Sequence, residues 1–150
     1  MTRKSLFQIL PDYRLIIEYY SGEINLDDIL NTKIMMTNDA KYDHKFSVIH
    51  DFRDARINIH ESEIKRVEGF LSENTSIIDK RKGACITNNP HDVAITMLMS
   101  FVLNNFPVKV EIFSTIGSAL WWLDITALTA EDIEKIIESL KNQIQRSIVE

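Results

Sequence analysis

After residue 21 this chain alternates strand-like with helix-like segments, and the alternation leaves few architectures open. Residues 46–52, 83–87 and 108–113 are short runs of strand type. They are either nearly continuously apolar or alternating, as Val108, Val110 and Ile112 do against Lys109 and Glu111. A helical pattern follows each run. Parallel neighbouring strands need a long connection, and a helix is the usual one. Repeated strand–helix units therefore predict mainly parallel crossovers with helices covering the sheet.

The helix starts carry their own signals. Asn25 is placed to cap a first helix, with Asp27 and Asp28 in the first turn, where the helix dipole favours negative charge. Leu26, Ile29, Leu30 and Ile34 then fall at helical spacing. Residues 61–74 read as a second helix, with Ser62 as its cap and Ile64, Val67, Phe70 and Leu71 on one face. Asn89-Pro90 opens a third helix, running to about residue 105, with a capping residue followed by proline in the first turn. Ser114 or Thr115 caps a short fourth helix carrying Ala119, Trp121, Trp122 and Leu123. Thr129 with Asp132 approaches a capping box and opens a final helix at about 129–148. Its apolar positions Ile133, Ile136, Ile137, Leu140, Ile144 and Ile148 are spaced by helical intervals.

Two strand-like runs, 5–10 and 13–20, precede this series. The turn-forming pair Pro11-Asp12 lies between them, so they predict an antiparallel hairpin, which Ser21-Gly22 ends. The order is ββαβαβαβα. It implies an α/β class and a mixed sheet of four to five strands, within one domain spanning 1–150.

Composition narrows the function classes. The net charge is −5, and the longest basic run is Lys80-Arg81-Lys82, so the clustered basic face of a nucleic-acid binder is missing. Cys85 is the sole cysteine, which excludes an intrachain disulfide and fits a reducing compartment. Pro11 and Asp12 follow too soon for a signal peptide. The densest apolar run, 93–103, is far shorter than the roughly 20 residues of a membrane span. The expectation is a cytoplasmic protein without a membrane span.

Three local patterns, in this order, resemble the SpoIIAA-like family of the STAS superfamily. They are Tyr20-Ser-Gly-Glu-Ile-Asn-Leu-Asp-Asp-Ile29 before the first helix, His50-Asp-Phe-Arg-Asp-Ala55 after the third strand, and Phe113-Ser-Thr-Ile-Gly-Ser-Ala-Leu-Trp-Trp-Leu123. The resemblance covers residues 5–123 and leaves the final helix as an extension. It implies a small cytoplasmic module whose regulatory surface follows the third strand. In anti-sigma-factor antagonists of the superfamily a serine or threonine there is phosphorylated. This chain has Arg53-Asp54-Ala55-Arg56 in place of the hydroxyl pair and glycine, and its nearest hydroxyl is Ser62.

The candidate site is Asp51, Arg53, Asp54 and Arg56, at the expected end of the third strand. Open α/β sheets bind ligands at strand ends, and the two arginines suit a carboxylate or phosphate. The structural alternative is an ion-pair cluster that fixes a loop. His50-Asp51 resembles a metal-binding pair. On a strand, however, neighbours point to opposite faces, and His44, His60 and His91 lack ligand spacing, so no metal is expected. Cys85, in an apolar strand with no neighbouring base, reads as a small core residue. No glycine-rich phosphate loop appears, and no cofactor is expected.

The third helix is apolar almost all round, which predicts burial on more than one side. The final helix, a second subunit or an apolar ligand would each serve. Trp121 and Trp122 diverge by about 100° on a helix, so one is expected in the core and the other at a pocket, an interface or beneath the final helix. The reading is a non-enzymatic regulatory module that binds a protein partner or a small apolar or anionic ligand, with a homodimer among its forms. The alternatives are a phospho-regulated antagonist and, third, a hydrolase-type enzyme using Asp51, Arg53 and His50.

Overall fold

The computed structural model describes residues 3–74 and 80–149. Strand β1 (Ser5–Leu10) passes through a 3-10 turn at Pro11–Tyr13 into β2 (Leu15–Ile24). Arg14 closes that turn in the left-handed region at φ 52°. Then follow α1 (Leu26–Thr37), β3 (Ser47–Ile57), a 3-10 turn at Glu61–Glu63, α2 (Ile64–Glu73), β4 (Lys82–Ile86), α3 (Pro90–Leu103), β5 (Lys109–Phe113), α4 (Ile116–Trp122) and α5 (Ala130–Val149). Among the described residues the sheet has five strands in the order β1-β2-β3-β4-β5. The β1–β2 pair is antiparallel and the remaining pairs are parallel. The mixed α/β fold expected from the strand–helix order is what forms.

The layering follows from that strand order. Successive parallel strands step across the sheet in one direction, and right-handed crossovers then place every connecting helix on the same face. Residues of α1, α2 and α3 accordingly share one core with Tyr20, Phe52, Ile57 and Cys85. The opposite face would be left bare. It is covered by α4 and α5, which pack Ile116, Leu120, Ile133, Ile137, Leu140 and Ile144 against Ile17, Ile49 and Ala84. The last helix thus supplies Ile133, Ile137, Leu140 and Ile144 to this core, although the resemblance read from the sequence ends before it. It lies on the face away from α3, so it does not cover that helix. Met97, Leu98 and Phe101 on α3 stay exposed.

Several helix starts form as expected. Asn25 Oδ1 accepts from the Asp28 amide and Asp28 returns a carboxylate to the Asn25 amide, each at 2.9 Å. Asn89 Oδ1 accepts from His91 N, and Thr129 exchanges the same reciprocal bonds with Asp132. Ser62 is different. It is exposed inside the 3-10 turn, and it is Glu63 that reaches back to the His60 amide.

Two strand lengths are corrected. β2 does not stop at Ser21-Gly22 but continues to Ile24, with Gly22 at φ 79°. β3 does not stop near Phe52 but runs to Ile57. The cause is a β-bulge. From Tyr19↔Asp51 to Ser21↔Asp54, β2 advances two residues while β3 advances three. The extra residue reverses the in–out alternation, so Ala55 and Ile57 face the same core as Phe52. Pairing of β4 to β3 ends at Asp51↔Ile86, so the rest of β3 extends as a ribbon with β2.

Candidate functional site

The proposed strand-end loop is therefore a ridge of β3 beside α5. Asp51 is buried and takes a two-pronged contact from Arg53, with Nε to Oδ1 at 2.9 Å and Nη2 to Oδ2 at 3.0 Å. The same guanidinium reaches Glu134 of α5 at 2.9 Å. Hydrogen bonding to Asp51 pushes the Arg53 guanidinium further up, burial opposing and Glu134 adding to it. Asp54 accepts from the Tyr19 hydroxyl at 2.6 Å and lies 3.4 Å from Lys141 Nζ. Three of the four candidates are thus clasped to the sheet and α5. Asp54, though held in this way, is exposed, and Arg56 is exposed as well.

His50 does not join them. It pairs across to Glu18 and faces α1, whereas Asp51 pairs to Tyr19 and faces α5. An enzyme built on Asp51, Arg53 and His50 together is excluded, because a sheet separates the groups. Trp122 is half-buried, tilted on Phe113 and covered by Lys82, whose Nζ lies 5.0 Å from the ring centroid. Trp121 is exposed.

The other face holds a cavity of about 140 Å³ between the sheet and α1, α2 and α3. Its walls are mainly apolar, from Leu30, Phe52, Val67, Leu71, Ile95 and Met99. Lys33, His50, Arg81 and Cys85 also line it. Behind Lys33 and His50 sits Glu18, fully buried in β2. Its Oε1 accepts from the Tyr20 hydroxyl at 2.6 Å, and the Lys33 ammonium donates to its Oε2. His50 Nδ1 lies 3.0 Å from both Glu18 Oε1 and Lys33 Nζ. Gly83 makes room for the ring: a Cβ there would sit 3.1 Å from His50 Nε2.

Burial pushes the Glu18 carboxyl up, but His50 and Lys33 outweigh it and hold the group well below the usual carboxylate range. Burial lowers His50; Glu18 opposes this, Lys33 and Arg81 reinforce it, and the balance favours the neutral ring. Burial pushes the Cys85 thiol up to about 12, so it stays protonated near neutrality and is a poor nucleophile.

Arg81 is also buried. It donates to the Tyr42 hydroxyl at 3.2 Å and stands 5.9 Å from that ring's centroid. Among the described residues no carboxylate pairs with it. The sequence reading did not single out Glu18, Lys33 or Arg81. Only Glu18 left a signal, as a charge inside the apolar run Leu15-Ile-Ile-Glu-Tyr-Tyr20, where a buried acid needs a partner.

No family model matches the chain. No curated protein matches it either. Among solved structures it is similar to an uncharacterized protein of the DUF3478 family, described as having a SpoIIAA-like fold, from Shewanella loihica PV-4. The two are 12% identical, over 73% of this chain and 83% of that one, with a TM-score of 0.49. No helix among the described residues is long and apolar enough to cross a membrane.

Proposed function

We propose that this protein is a non-catalytic binding module that takes a small apolar ligand into the cavity between the sheet and α1–α3. The carrying observation is the cavity itself: about 140 Å³ of space, walled almost wholly by apolar surface, with Lys33, His50 and Arg81 among the residues that line it. Ligand sites have this character, apolar walls with a few placed polar groups. The ridge at Asp51, Arg53 and Asp54 suits a different task, since its charges are already matched to one another and to α5. A protonated thiol and a histidine committed to Glu18 and Lys33 favour binding over chemistry.

Amide and methyl NMR spectra recorded against a panel of small apolar compounds test the reading. Shifts should concentrate on Leu30, Cys85, Ile95 and Met99. Shifts confined to Arg56 or to Trp121 would place the site elsewhere. Native mass spectrometry of the purified chain gives an independent readout, as a mass increment lost on denaturation.

A further inference from the structure

Among the described residues the charges at the cavity do not balance. Glu18 contributes one negative charge, while Lys33 and Arg81 contribute two positive ones. Lys33 is matched to Glu18 through a direct contact. Arg81 is matched to no carboxylate among the described residues, although it is buried and lines the cavity. The Tyr42 hydroxyl and ring beside its guanidinium are weaker compensation than an anion. A buried charge without a counterion is costly, and proteins retain one where something else supplies the partner.

We propose that the ligand of this cavity is a small apolar monoanion, a carboxylic acid whose carboxylate is held by Arg81 with Lys33 beside it. This rests on the binding reading above. A guanidinium presents a planar fork that fits a carboxylate, and such charge-assisted contacts are the strong ones. One spare positive charge matches one carboxylate. A phosphate monoester carries about −1.5 to −2 near neutrality and would overbalance the site. His50, favouring its neutral form, adds no second charge to attract one. Size narrows the class further. A cavity of about 140 Å³ is close to one of about 150 Å³ that accepts benzene in another protein. The apolar part is therefore a single ring or a short chain, not a long acyl tail.

Calorimetric titration of the full chain with benzoate, phenylacetate and hexanoate, each beside its neutral amide, tests this. Each acid should bind at least about tenfold more tightly than its amide, as expected for a lost charge-assisted contact. Arg81→Met should abolish that preference and leave amide binding in place, whereas Arg81→Lys should keep part of it. The acid–amide comparison in the unaltered protein decides the matter even if Arg81→Met fails to fold. Amides that bind as well as acids would overturn the anion and leave the cavity reading standing. Phenyl phosphate binding more tightly than benzoate would overturn the single-charge match. No binding by acids or amides would overturn both readings.

Discussion

His50 and Asp51 are neighbours in β3 that serve opposite faces of the sheet. His50 joins Glu18 and Lys33 over the cavity, and Asp51 joins Arg53 and Glu134 under α5. The two faces therefore answer to different experiments. One carries, among the described residues, a charge without a carboxylate partner beside a cavity, and the other carries charges matched to one another.

Arg53→Ala should destabilise the protein by about 3 kcal/mol, because it strands the buried Asp51 carboxylate. Arg56→Ala should change stability by no more than about 0.5 kcal/mol, as an exposed side chain away from such contacts. Urea unfolding of the two variants checks the contrast. Equal, small effects would mean that the Asp51–Arg53 contact contributes little to the fold.

Ile133→Asp should cost more than about 4 kcal/mol, since the new carboxylate would be buried among Ile17, Ile49 and Ala84 without a partner. Ile148→Asp, at an exposed position of the same helix, should be close to neutral. Thermal melts with size-exclusion chromatography distinguish a packed helix from a detachable one. An Ile133→Asp monomer of undiminished stability would contradict the packing of α5.

Much of the architecture was legible because local signals and burial agree. The caps at Asn25, Asn89 and Thr129 stand where the helices begin, and the apolar spacing of Ile133, Ile137, Leu140 and Ile144 is the buried stripe of α5. β3 was misjudged in length because its bulge breaks the two-residue period on which strand reading depends. The cavity groups were illegible for another reason. Glu18, Lys33, His50 and Arg81 come from β2, α1, β3 and the residue before β4, and no spacing rule connects them. Only the sheet register, Glu18 opposite His50, brings the first of them together.

Stability should fall with acid in two stages. His50 and Glu18 both have folded-state pKa values below their ordinary ones of 6.5 and 4.5. The unfolded chain then binds more protons than the folded one, so stability rises with pH. The His50 contribution is complete above its ordinary value and is lost as pH falls through the lower folded value. The Glu18 contribution persists to lower pH and is lost as pH falls below 4.5. Urea midpoints measured in pH steps should decline below about pH 6.5 and again below about pH 4.5. His50→Gln should flatten the first decline. An unaltered first decline in that variant would assign it to another histidine.

Gly83→Ala should act on the cavity, and Gly69→Ala should not. The added methyl at position 83 would stand 3.1 Å from His50 Nε2 and 3.7 Å from Val110 Cγ2. The imidazole must give way by a few tenths of an ångström, and it is held on its other side by Glu18 and Lys33. Overpacking of this kind typically costs about 1–3 kcal/mol. Because Gly83 and His50 both line the cavity, benzoate affinity should fall as well. Gly69 lies exposed within α2 and its Cβ would meet nothing within 4 Å. There alanine should stabilise by about 0.5–1 kcal/mol through helix preference, with benzoate affinity unchanged. Denaturant unfolding and calorimetry on the two variants give four numbers. Gly83→Ala with full stability and full affinity would show that the His50 ring is not wedged between Gly83 and Glu18.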